Sequence, residues 1–198
     1  MFGIKFGAKK KYAEGETITV RLNARLQPVQ RGEHFEDPLA DVLKDLGVGE
    51  LTGGGTQLTG DERGIEYCDL ELSLTDTSDS ALQAIVAALE ELGAPKGSKL
   101  IVDGTGAETP FGAAEGLALF LNGADLPDEV YAACDVNFVI EELDRLMGEN
   151  GKMKGHWEGE RDTALYCYGP SFETMREAIG PLLSSYPLCQ KARIVQIA

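Results

Sequence analysis

Three short stretches of the sequence carry residue types that could do chemistry. The first runs from Arg31 to Asp37 and packs Arg31, Glu33, His34, Glu36 and Asp37 into one segment. A histidine among carboxylates is the raw material of a general base or a metal site, because imidazole titrates near neutral pH and can ligate through a free nitrogen. The acids here have a simpler use. Asp37-Pro38 reads as a helix start, with Asp37 as the cap and Pro38 in the first helical position. Glu36 is then favourably placed beside a helix N-terminus. The other histidine, His156, lies in KGHWEGE and does not match His34 in the repeat described below. No catalytic residue is assigned.

The second stretch is Gly53-Gly54-Gly55-Thr56. A glycine run can bring backbone N–H groups against a phosphate or carboxylate. Neither G-x-G-x-x-G nor a closing Lys-Ser/Thr is present, and no capped helix follows. The run reads as a bulge or bend in an edge strand.

The third is a pair of alternating segments. TITVRLNARL, from Thr17 to Leu26, turns Ile18, Val20, Leu22, Ala24 and Leu26 to one side and Arg21, Asn23 and Arg25 to the other. GIEYCDLELSL, from Gly64 to Leu74, separates Cys68, Leu70, Leu72 and Leu74 from Tyr67, Asp69 and Glu71. Alternation of this kind marks half-buried strands. Two arginines on one strand face suit an anionic ligand. Asp69 and Glu71 on a neighbouring strand would instead neutralise them as cross-strand ion pairs.

These strands belong to a duplicated pattern. Tyr67-Cys68 returns at Tyr166-Cys167, and Leu22-Asn23 at Leu121-Asn122, both at an offset of 99 residues. After a leader over 1–16, residues 17–103 read strand, helix, strand, strand, helix, strand. The helices carry Leu39, Val42, Leu43 and Leu46, then Leu82, Ile85, Val86, Leu89 and Leu92, on one face each. Between the first strand and the first helix, residues 27–36 read as a polar loop. A Gly-, Ala- and Thr-rich linker spans 104–115. Residues 116–198 repeat the order, with a longer insertion, ADLPDEVYAAC, before a helix capped by Asp135. Ser171 caps the last helix, in which Pro181 should kink or break the final turns. The expected architecture is α+β: two tandem ferredoxin-like (βαββαβ) units, each an antiparallel sheet with helices on one face.

Such units leave one sheet face without helices. In the first, that face would carry Arg21, Asn23, Arg25, Tyr67, Asp69 and Glu71; in the second, Ala118, Phe120, Asn122, Tyr166 and Tyr168. The faces could line a cleft, form one platform, or bury Phe120, Tyr166 and Tyr168 against the first unit. The aromatic face resembles that of RNA-recognition domains, which stack bases on such a sheet. The K/R-G-F-G-F-V-x-F run of those domains is missing, and a net charge of −15 has the wrong sign for nucleic acid.

The acidity is evenly spread: 11 basic against 19 acidic groups in 1–110, and 7 against 14 in 111–198. Four separated cysteines, Cys68, Cys134, Cys167 and Cys189, form no metal-binding spacing and fit a reducing, cytoplasmic setting. No cofactor, metal or membrane is implied. The composition favours a cationic partner. The expectation is a non-catalytic acidic protein that binds a basic protein, as an immunity or inhibitor protein does, through Tyr67, Asp69, Glu71, Glu33 and Glu36. The alternative is a small-molecule sensor or enzyme that holds an anionic ligand between the units near Arg21, Arg25, His156, Tyr166 and Tyr168.

Overall fold

The computed structural model describes residues 15–60 and 64–198. The leader expected over 1–16 and the turn at 60–64 fall largely outside the described residues.

The first unit holds β1 (Glu16–Leu22), α1 (Pro28–Arg31), a π turn (Gly32–Glu36) and α2 (Asp37–Leu46). It continues with β2 (Gly49–Leu58), β3 (Ile65–Leu74), α3 (Asp79–Glu91), β4 (Ser98–Val102) and β5 (Ala107–Phe111). The second holds β6 (Glu115–Asn122), α4 (Asp128–Ala133), α5 (Val136–Met147), β7 (Lys152–Glu158), β8 (Asp162–Gly169), α6 (Phe172–Ser185) and β9 (Arg193–Gln196). The sheets are ordered β2-β3-β1-β4-β5 and β7-β8-β6-β9, with all pairings antiparallel. The first four strands of each unit share one order, so both are ferredoxin-like, as the duplication implied.

The alternation places the cores. Ile18, Val20, Leu22, Cys68, Leu70 and Leu72 are fully buried beneath α2 and α3, which contribute Leu39, Leu43, Ile85 and Leu89. Leu117, Leu119, Leu165 and Cys167 meet Val139, Leu143, Met175 and Ile179 of α5 and α6 in the same way. Full burial of each such aliphatic side chain contributes about 1.5–3 kcal/mol.

Four expectations are corrected. The strand read as Thr17–Leu26 stops at Leu22, so Asn23 and Arg25 leave the sheet. The polar loop is helical, because the helix begins at Pro28 and Asp37 lies inside it with helical backbone angles, not at its cap. Gln27 is the extended residue before it, and its N–H donates to the Gln30 side chain at 3.1 Å, which closes the entry. The wider π turn keeps Arg31 and Phe35 in line with Leu39 and Leu43, and all four are buried. The presumed linker supplies a fifth strand, AETPF, paired to β4. Lastly, α6 is not broken at Pro181 but runs to Ser185, with the Ser184 and Ser185 hydroxyls donating to the carbonyl of Pro181.

The repeat is also displaced in part. Leu22 lies opposite Cys68, but Cys167 lies opposite Leu117, four residues short of Leu121. The Tyr-Cys echo is structural, whereas the Leu-Asn echo is not. An even displacement leaves every side chain on its face, which is why both sheets still bury the correct residues.

Candidate binding face

The two helix-free faces have different fates. The second unit's face packs onto one end of the first unit. Ala118, Phe120, Ala164, Tyr166 and Tyr168 are buried there and join the first unit's core. The end they cover is built from the segment after β1, the start of β3 and the turn after α3. Arg25 N–H donates to the Tyr168 hydroxyl at 2.7 Å. The Arg25 guanidinium lies 5.7 Å from the Tyr166 ring centroid. Gln27 Nε2 donates to the His156 carbonyl at 2.9 Å, and Gln30 Nε2 lies 2.8 Å from His156 Nδ1. Gly64, with φ of +86°, brings its backbone against Trp157, where a Cβ would lie 2.4 Å from the indole. Burial in this seam pushes the Tyr168 hydroxyl far above its ordinary pKa and raises Tyr166 in the same direction.

Of the residues expected to hold an anionic ligand, four thus meet in one place: Arg25, His156, Tyr166 and Tyr168. They meet as packing: the Tyr168 hydroxyl takes a backbone N–H, His156 takes the Gln27 and Gln30 amides, and the Arg25 guanidinium turns to the Tyr166 side chain. Arg21 is not among them. It remains in β1, bonded through two nitrogens to the Asp69 carboxylate at 2.9 Å each and stacked 4.1 Å from the Tyr67 ring centroid. The Asp69 hydrogen bond raises the Arg21 pKa above its already high ordinary value. This is the cross-strand neutralisation expected between the two strands.

The first unit's face is different. Among the described residues nothing packs over it. Cross-strand partners share a face, so the register places Glu50, Tyr67, Asp69, Glu71, Arg21, Lys99 and Glu108 together on it. Asp103, just past β4, accepts from the Thr19 hydroxyl at 3.0 Å. Both cations are engaged within the face, Arg21 by Asp69 and Lys99 by Glu108 at 2.7 Å. Glu50 and Glu71 are exposed and have no cationic partner among the described residues.

The glycine run of β2 borders this face. It forms the bulged edge strand its composition suggested, with the irregularity between Leu51 and Gly53. Gly54 has a second use. A Cβ there would lie 2.6 Å from Glu36 Oε1 and 3.0 Å from Arg31 Nε. Glycine therefore leaves room for a half-buried ion pair on the helix side of the sheet. Arg31 Nε donates to Glu36 at 2.5 Å, and Arg31 Nη1 donates to the Thr56 hydroxyl at 2.7 Å. Glu36 is consequently a neutralised residue beneath the sheet, and Glu33 is exposed on the adjoining helical segment. Neither shares the face of Tyr67, Asp69 and Glu71, which corrects the five-residue grouping.

One notable group escaped sequence reasoning. Lys154 of β7 reaches across the seam, and its ammonium donates to the Leu92 carbonyl at 2.6 Å and lies 5.1 Å from the Phe35 ring centroid. Burial and the neighbouring Lys152 depress its pKa to about 8. His34 is lowered in turn by burial and by the charges of Lys154 and Lys152. No group of three or more metal-ligating side chains occurs among the described residues.

No family model matches this chain, and no curated protein matches it. Solved structures do. The regulatory subunit of aspartate kinase from Thermus flavus is similar at 13% identity, covering 84% of this chain and 92% of its own, with a TM-score of 0.28. A putative monooxygenase from Fusobacterium nucleatum gives 10% identity, 93% and 92% coverage, and a TM-score of 0.31. The first two RRM domains of a yeast poly(U) binding protein give 10%, 92% and 99%, and 0.24. Likenesses this distant carry no inference about activity. No helix among the described residues is long and apolar enough to cross a membrane.

Proposed function

We propose that this is a non-catalytic binding protein that takes a basic protein partner on the open face of its first sheet, in the manner of an immunity or inhibitor protein. One observation carries the reading. Of two helix-free sheet faces, the aromatic one is covered by the chain itself, while the acidic one is left open among the described residues, with Arg21 and Lys99, its two described cations, already paired. A rim of Glu50, Glu71 and Asp103 around the Arg21–Tyr67 stack offers a cationic surface both charge and one flat aromatic contact. The overall charge of −15 would accelerate the encounter.

The alternative, an anionic ligand between the units, has less support, since Arg21 is engaged elsewhere and Tyr166 and Tyr168 are buried.

The test compares capture of basic proteins by the wild type with capture by a Glu50→Lys/Glu71→Lys variant. A control variant, Glu141→Lys/Glu173→Lys, changes net charge equally on the helices of the second unit. Loss of a salt-sensitive basic partner only in the face variant supports the reading. Equal retention by all three proteins would overturn it.

A further inference from the structure

A second feature lies apart from the acidic face. A groove of about 300 Å³ opens along the seam, bounded by Gly93, Ala113, Ala114, Lys154, Tyr168 and Pro170. Its walls are largely apolar and come from both units, the kind of place where small molecules are held. Glu90 of α3 stands at its edge, with Oε1 accepting from Gly112 N–H at 2.9 Å.

Lys154, the one amine in this groove among the described residues, is poorly compensated. The Lys154 Nζ makes a single hydrogen bond, to Leu92 O, and no carboxylate pairs with it among the described residues. A half-buried ammonium with one acceptor is held in its charged form only weakly. The titratable groups around it are Lys152 on its own strand, Glu90 on α3 and His34 on the π turn, and the Phe35 ring covers one side. Gly93 keeps the approach to the amine open: a Cβ there would sit 2.9 Å from Nζ.

We propose that Lys154 is a covalent capture site for small neutral aldehydes. The free amine's lone pair attacks the carbonyl carbon, forming a C–N bond while a proton passes from nitrogen to oxygen. The carbinolamine then loses that oxygen as water and leaves a C=N bond. No oxidant or reductant is consumed. Glu90 and the protein's net charge disfavour a carboxylate on the ligand, and the apolar walls accept an alkyl chain. With a pKa near 8, roughly a quarter of this amine is neutral at pH 7.5, against about one part in a thousand for an ordinary lysine.

The test uses propionaldehyde with cyanoborohydride, which reduces any imine, followed by peptide mapping of every lysine. At pH 7.5, Lys154 should be alkylated at least about ten-fold faster than Lys44, Lys96, Lys99 or Lys191. Its rate should rise through pH 8 and then level, while theirs keep rising. A branched aldehyde too large for the groove should alkylate the exposed lysines and spare Lys154. Lys154→Arg, which keeps a cation at the Leu92 carbonyl, should remove the fast site and leave the fold intact by circular dichroism. Labelling of Lys154 at or below the rate of the exposed lysines would overturn the proposal.

Discussion

The backbone N–H of Arg25 donates to the hydroxyl of Tyr168, a bond 2.7 Å long between the strand exit of one unit and the sheet of the other. Tyr168 is 3% exposed, so its hydroxyl has little access to water, although Arg25 is only partly buried. The bond fixes how the chain leaves β1 and where the second sheet sits beneath it.

Tyr168→Phe should therefore be costly for so small a change. It leaves a partly buried N–H unsatisfied, a loss of about 1–3 kcal/mol. Urea denaturation should show a lower midpoint with an unchanged slope, the signature of lost stability without altered compactness.

Gly64→Ala should destabilise by more than about 2 kcal/mol, because the new methyl meets Trp157 and the backbone keeps a positive φ. Part of that loss is steric, so Gly64→Ala combined with Trp157→Ala should lose less than the sum of the two single changes. A double-mutant cycle by thermal denaturation measures the coupling. Strict additivity would show that the clash is relieved elsewhere.

The pair Arg31–Glu36 is the next test. Removing Glu36 alone, as Glu36→Leu, leaves the Arg31 charge 7% exposed and uncompensated, and should cost about 3–5 kcal/mol. Arg31→Met with Glu36→Leu removes both charges and should recover much of it. Chemical denaturation of the three variants decides.

The thiols set an alkaline limit. Burial raises Cys68 and Cys167 to about 12 and Cys189 to about 11, so the folded state keeps protons that the unfolded chain releases near pH 8.5. Their contribution is intact below that pH and is lost as pH rises from about 8.5 towards 12. Lys154 acts oppositely: its lowered pKa makes stability rise with pH between about 8 and 10.5. Midpoints measured from pH 8 to 10.5 should fall less steeply in a Cys68→Ala/Cys167→Ala protein, and more steeply in Lys154→Met. At pH 8 a thiol reagent should label the native protein at the partly exposed Cys134 and spare the three buried cysteines.

The strands of the core were legible because their period is written in single residues: Cys68, Leu70, Leu72 and Leu74 could face only one way. The helix caps at Asp135 and Ser171 were legible because each side chain accepts from the N–H two or three residues on. The true start at Pro28 was not, since its signal is a glutamine pair inside a polar run. The π turn hid Arg31, which composition assigns to the surface. AETPF escaped because an edge strand with Pro110 and little apolar content looks like a linker. Of the candidate face, Tyr67, Asp69, Glu71 and the Arg21 pairing were readable from alternation alone. The separation of Glu33 and Glu36 from them depends on which side of the sheet the helix packs, and Lys154 depends on the docking of two units. Neither is encoded in a local pattern.

The seam joins unlike surfaces, the flank of one unit to the tip of the other, and such a head-to-tail contact does not close on itself. Had the first unit kept a Phe and two tyrosines on its own flank, the same docking could admit a further tip from another molecule, and the chain would be a link in a fibre. Of those aromatics the first unit keeps only Tyr67, which Arg21 covers, and Asp69 stands at the position of Tyr168, so the acidic flank disfavours such polymerisation.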